Sequence, residues 1–132
     1  MRRIAILLCL AAPPATAQEI DCATAMAQQE MNLCAYQDWQ EADVALNQAF
    51  KQAMAMLRDW DASLSEGEPP AAEALRDAQR AWITFRDKAC EAEGYAMRGG
   101  SAEPLLVNGC LAGLTRERTE HLLGLVEAYG DL

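Results

Sequence analysis

Four cysteines behind what reads as an export signal constrain the fold of this chain more than any other feature. Residues 1–17 have the layout of a secretory signal peptide. Arg2 and Arg3 give the positive start, Ile4 to Leu10 an apolar stretch too short to span a bilayer, and Ala15-Thr16-Ala17 a small-residue cleavage site. The mature chain is expected to begin at Gln18 and to keep Cys22, Cys34, Cys90 and Cys110, while Cys9 leaves with the signal. An even number of cysteines in a small exported domain reads as two disulfides. Residues 18–132 are then one domain of about 115 residues, whose modest core gains about 2–4 kcal/mol from each cross-link.

Charge narrows the partners. The formal net charge is -9, and loss of Arg2 and Arg3 takes it to about -11. Such a surface does not suit nucleic acid, whose phosphates need cations, nor an anionic lipid face. It keeps an exported protein soluble and it favours a cationic partner. No second apolar run approaches the roughly 20 residues of a membrane helix, so no membrane anchor is expected in the mature chain.

Periodicity predicts an all-α fold. From about Ala23 to Trp60, apolar residues recur at steps of three and four on a face made by Tyr36, Trp39, Leu46, Phe50, Ala53 and Leu57, with Asp43 among them. Asp21 is the expected cap of this long first helix, and the pattern leaves room for a kink near Cys34. Breaker residues from Asp61 to Pro70 end it and form a flexible linker. A second helix is expected over about Ala71 to Glu93, with Leu75, Ala78, Trp82, Phe85 and Ala89 inward. Gly94, Gly99 and Gly100 stop it. A third runs to about Ala128 behind Ser101 as cap, with Glu103 and Pro104 in its first turn and Leu111, Leu114, Leu122, Leu125 and Val126 apolar. No stretch alternates as a strand does. Three helices with short connections pack as an antiparallel bundle.

That geometry discriminates among the three possible cysteine pairings. If the second and third helices turn about near position 98, Cys90 faces a point within one turn of Cys110. Across a turn near position 65, Cys34 misses Cys90 by about six residues, or roughly 9 Å, beyond the reach of a disulfide. Cys90–Cys110 is therefore preferred, and Cys22–Cys34 follows by elimination. It requires the chain before the first helix to fold back.

Chemistry-bearing residues are few. Asp43 on an apolar face needs a cation, and Arg80 or Arg86 of the second helix is placed to supply it, as an ion pair that fixes register. His121, the only histidine, sits among Glu117 and Glu120 and reads as a surface residue. Glu30 and Asp38 form a carboxylate pair of no distinctive kind. Gly99-Gly100 follows no strand, so it is no phosphate loop. Cysteine and histidine spacings do not match a zinc site. No catalytic, cofactor or metal site is expected. Glu66 and Glu68, in the linker, are the carboxylates most exposed to a partner.

The motifs together resemble one family. Gln28-Gln29-Glu30-Met31-Asn32-Leu33-Cys34-Ala35 is similar to its opening signature, and Asp43-Val44-Ala45-Leu46-Asn47 to its Asp-x-x-Leu-Asn element. Leu75 to Asp87, including Gln79, Trp82 and Arg86, with Cys90, resembles its most specific stretch. Gly99-Gly100-Ser101, Cys110-Leu111, Leu114-Thr115 and Arg118-Thr119 resemble its closing part. The family is the lysozyme inhibitor LprI-like group, and the likeness covers nearly all of the mature chain in order. Two positions depart from the usual pattern. Ala27 stands where a threonine is common and Phe50 where a tyrosine is common, so each loses a hydroxyl. The resemblance implies an exported, disulfide-linked helical domain in which Asp43, Asn47, Gln79, Trp82 and Arg86 are structural. It also implies a partner such as lysozyme, since the family is named for a lipoprotein that inhibits it. The alternative is a periplasmic interaction protein for another partner, with no bearing on lysozyme.

Overall fold

The computed structural model describes residues 20–131, so the signal peptide read at 1–17 and the start at Gln18 lie outside the described residues. Three helices make the fold: α1 (Gln28–Asp61), α2 (Ala71–Gly94) and α3 (Glu103–Tyr129), with a short 3-10 turn at Tyr95–Met97 after α2. No strand occurs among the described residues. At one end Asn32 Nδ2 donates to the Ser101 carbonyl at 2.9 Å, and at the other Trp60 meets Tyr129 edge-on at 6.4 Å. Hence α1 and α3 run parallel, and α2 packs alongside both in the opposite sense. The helical bundle expected from the sequence is present, as are both disulfides, Cys22–Cys34 and Cys90–Cys110, with Cα separations of 5.6 and 5.4 Å.

The α1–α3 interface is the most extensive. Small side chains allow it: Ala42, Ala49 and Ala53 of α1 are buried, and so are Ala112 and Thr115 of α3. Leu46 and Leu122 fill this seam, with Phe50, Leu75 and Trp82 packed on it. A second cluster of Met54, Met56, Leu57 and Ala72 closes the end near the α1–α2 loop, where Trp60 is partly buried.

The helix ends differ from the sequence-based expectation, for local reasons. α1 begins at Gln28 rather than near Ala23. The carboxylate of Asp21 is taken by the Ala23 amide at 3.0 Å and the Thr24 hydroxyl at 3.0 Å, which closes a turn instead of a helix. That turn is the fold-back the Cys22–Cys34 bond requires, and α1 then runs unbroken through Cys34. Ala27 is the α1 N-cap and has no side-chain acceptor; only the Glu30 carboxylate answers, accepting from the Ala27 amide at 3.4 Å. Ser101 does not cap α3. Ala102 takes the cap position, and Glu103 binds back to the Gly99 amide at 2.8 Å and to Arg98 at 3.1 Å. Gly99 has φ of +76°, the left-handed conformation that the reversal before α3 needs.

α2 is capped from a distance. Its N-cap, Pro70, offers no side-chain acceptor, but Asp61 at the end of α1 accepts from the Ala71 amide at 2.7 Å and the Ala72 amide at 3.0 Å. One carboxylate thus joins two helices across the loop. Within it, Glu68 accepts from the Ser65 amide at 2.8 Å, and residues 62–70 are all exposed.

The buried face of α2 is also rotated from the expected one. Ala72, Gln79, Arg86 and Cys90 are buried, with Leu75 and Trp82 partly so, whereas Ala78 is exposed and Phe85 is 61% exposed. Tyr36 of α1 is likewise exposed rather than inward. Polar side chains occupy part of the interior, and a reading of apolar periodicity alone turns the helix away from them.

Candidate functional site

The polar interior centres on Arg86. Its side chain is 7% exposed, so its charge must be paired and its donors used. Nη1 donates to Asp43 Oδ1 and to the Thr115 hydroxyl, both at 3.3 Å; Nε and Nη2 each lie 2.9 Å from Asp87 Oδ1. The guanidinium lies between the rings of Trp39 and Trp82, at 5.7 and 5.2 Å from their centroids. Groups from all three helices therefore converge on one cation. Of the two arginines placed near Asp43 by sequence, Arg86 is the partner. Arg80 is exposed and pairs with Asp77 at 3.6 Å. The burial is reversed from expectation: the cation is inside, while the Asp43 side chain is 40% exposed. Water reaches that carboxylate, so the pair spares it much of the desolvation cost that full burial imposes.

The other motif residues gather around this centre. Asn47 donates to Asp43 Oδ2 at 3.1 Å and steadies its orientation. The buried Gln79 accepts from Arg118 Nε at 3.0 Å. Arg118 also lies over the Trp82 ring, at 6.0 Å from its centroid, and burial pushes its guanidinium below the usual value without discharging it. Its Nη1 is 3.0 Å from Nδ1 of the exposed His121. Thr115 and Trp39 also belong to this centre; the sequence places Trp39 on the packing face and Thr115 in a motif but assigns neither to the polar centre. Thr115 is fully buried, and the Trp39 indole nitrogen is buried without a partner. The available signal was the spacing of Gln79, Trp82 and Arg86, three and four apart on one helix face. Glu30 and Asp38 do not form a pair: Glu30 serves the α1 N-terminus, and Asp38 is bound by both terminal nitrogens of Arg116, one of them at 3.0 Å from Oδ2. That bond holds the Asp38 carboxyl below its ordinary range.

Two grooves flank the polar centre. Between α1 and α2 lies a groove of about 440 Å³ whose wall carries Arg76, Arg80 and Arg86 beside Phe50 and Ile83. Between α2 and α3 lies one of about 330 Å³, lined by Phe85, Ala89 and Glu93 on one side and by Gly113, Leu114 and Glu117 on the other. The Cys90–Cys110 bond ties its two walls together. Glu66 and Glu68 lie in the loop at the far end of α2. The described residues contain no group of three or more His, Cys, Asp or Glu side chains able to hold a metal, and no helix long and apolar enough to cross a membrane.

Comparison with known proteins places the chain. The family model for lysozyme inhibitor LprI matches residues 20–122, and the chain belongs to that family. An uncharacterised protein of Rhizobium meliloti is 45% identical over 129 residues, which is 95% of this chain and 93% of that one. The crystal structure of a DUF1311 family protein from Pseudomonas putida is similar with a TM-score of 0.62 and 28% identity, covering 74% of this chain and 91% of the other.

Proposed function

We propose that this member of the lysozyme inhibitor LprI family is an exported binding protein that inhibits c-type lysozyme, and that it acts by association rather than by chemistry of its own. The family match over residues 20–122 carries the reading. The charge of the chain supports it, since a net -9 attracts a basic enzyme and speeds encounter. The architecture supports it too. The donors of the two interior guanidinium groups are used within the fold, Arg86 on Asp43 and Arg118 on Gln79, and two disulfides hold a rigid helical surface, which lowers the entropy lost on docking. The site of action is the periplasm, reached through the signal at residues 1–17.

The test is direct. Purified residues 18–132 are titrated into c-type lysozyme, with binding read by calorimetry and inhibition by lysis of bacterial cell walls. Binding at low salt is expected, with an on-rate that falls as the Debye length shrinks from about 10 Å at 0.1 M to about 3 Å at 1 M salt. His121→Gln should leave it unchanged. No association at micromolar concentration and low salt sinks the inhibitor reading.

A further inference from the structure

The groove between α2 and α3 presents an apolar surface that the rest of the described chain leaves uncovered. Phe85 is 61% exposed, although it stands between the partly buried Trp82 and the buried Arg86 in sequence. Exposed aromatics beside a concave apolar floor are typical anchors of protein interfaces. Ala89 and Leu114 supply that floor.

Charge singles out the occupant. Glu93 and Glu117, the charged residues of the groove, have no ion-pair partner among the described residues. Two nearby carboxylates of α2 do. Glu91 is held by Lys88 at 2.7 Å, and Asp87 by Arg86 at 2.9 Å. Two uncompensated carboxylates thus flank an exposed aromatic ring. A second copy of the chain is a poor occupant, because a face-to-face pair would bring four such carboxylates together on two strongly acidic molecules.

Position 113 offers a way to block the groove. A glycine inside a helix costs about 1 kcal/mol relative to alanine. Gly94 has a packing reason, since a Cβ there would meet Val107 at 2.5 Å. A Cβ on Gly113 would meet nothing within 4 Å, as at Gly109 and Gly124 of the same helix, so position 113 takes a larger side chain without a clash inside the described chain.

We propose that the α2–α3 groove is the docking site for a cationic protein, taking a surface segment that presents an apolar side chain between lysine or arginine residues. This rests on the reading that the partner is a basic protein. It moves the contact away from Glu66 and Glu68, because Ala89 is eighteen residues along α2 from the loop, about 27 Å at the helical rise.

The experiment compares surfaces with two probes. Phe85→Ala, Glu93→Gln with Glu117→Gln, and Gly113→Arg alter the groove, and Glu66→Gln with Glu68→Gln alters the loop. Circular dichroism checks that each is folded, and none removes a buried side chain. With c-type lysozyme as probe, the groove variants should bind at least tenfold more weakly than wild type and the loop variant within twofold. Binding that the groove variants leave intact overturns the groove and leaves inhibition standing. If wild type does not bind lysozyme, inhibition fails, and a peptide of alternating leucine and lysine becomes the probe. In that case amide resonances of residues 85–93 and 110–117 should shift, and Gly113→Arg should abolish the shift. Shifts elsewhere, or none, overturn the proposal. So does self-association by sedimentation that disappears in Phe85→Ala, which would assign the face to a second copy.

Discussion

Ala27→Thr should stabilise the protein. Ala27 already has the extended backbone of an N-cap, φ -76° and ψ 138°, and its carbonyl accepts the first helical bond from the Met31 amide at 3.0 Å. The amides of Gln29 and Glu30 sit in the unsatisfied first turn, within reach of a hydroxyl at the cap. Glu30 already bonds back to the Ala27 amide, so a threonine would complete a reciprocal capping box of which only half now exists. A cap of this kind contributes about 1 kcal/mol, which for a domain of this size raises the melting temperature by about 4 °C. Ala27→Val is the control, with the same branched shape and no acceptor. Thermal unfolding by far-UV circular dichroism measures the global effect, and hydrogen exchange at the Gln29 and Glu30 amides measures the local one. Equal melting temperatures and equal exchange for threonine and valine would refute the capping argument.

Arg86→Leu should cost about 2 kcal/mol, chiefly because it orphans the fully buried Thr115 hydroxyl, and the double variant Arg86→Leu with Thr115→Val should recover about half of that in urea unfolding. Trp82→Ala should cost about 3 kcal/mol, since the ring packs on the main core and carries two guanidinium groups; a melting temperature within a degree of wild type would show that it does neither. Asp38 has a depressed folded pKa because Arg116 binds it. Its contribution is therefore present above the unfolded value near pH 4 and lost as pH falls through the lower folded value, so Asp38→Asn should flatten the acid limb of a stability profile recorded down to about pH 2. The native, unreduced protein should start at Gln18 and take up no alkylating reagent, as read by intact mass.

Helix number, order and disulfide pairing were legible because each follows from a strong local pattern or from chain geometry. Leu46, Phe50, Ala53 and Leu57 repeat at helical spacing, and the glycine and proline breaks leave little choice of where the chain reverses. The ends were less legible, since they depend on where a few polar atoms go. Asp21 has two competing uses, a helix start and a turn; Ala23 and Thr24 take both its oxygens and the turn wins. Asp61 caps a helix ten residues further on, an arrangement with no local signature. The α2 face was misread because Gln79 and Arg86 point inward, and apart from Asp87 the partners that license their burial, Arg118, Thr115 and Asp43, lie on other helices.

Phe85 illustrates why a binding surface is harder to read than a fold. Trp82 and Arg86 are four residues apart and share a face, so once Arg86 is drawn inward by Asp43 and Thr115, its neighbour Phe85 is carried about 100° round the helix and outward. Apolar periodicity assigns Phe85 to the core because nothing in the sequence announces that an arginine will be buried beside it. The polar centre therefore does two things at once. It fixes the register of three helices, and it turns a large aromatic side chain into the α2–α3 groove beside Glu93 and Glu117, which no cation of the described chain neutralises. Weakening Arg86 should then perturb partner binding indirectly, through the rotation of α2, even though its side chain is buried and does not line the groove that Phe85 enters.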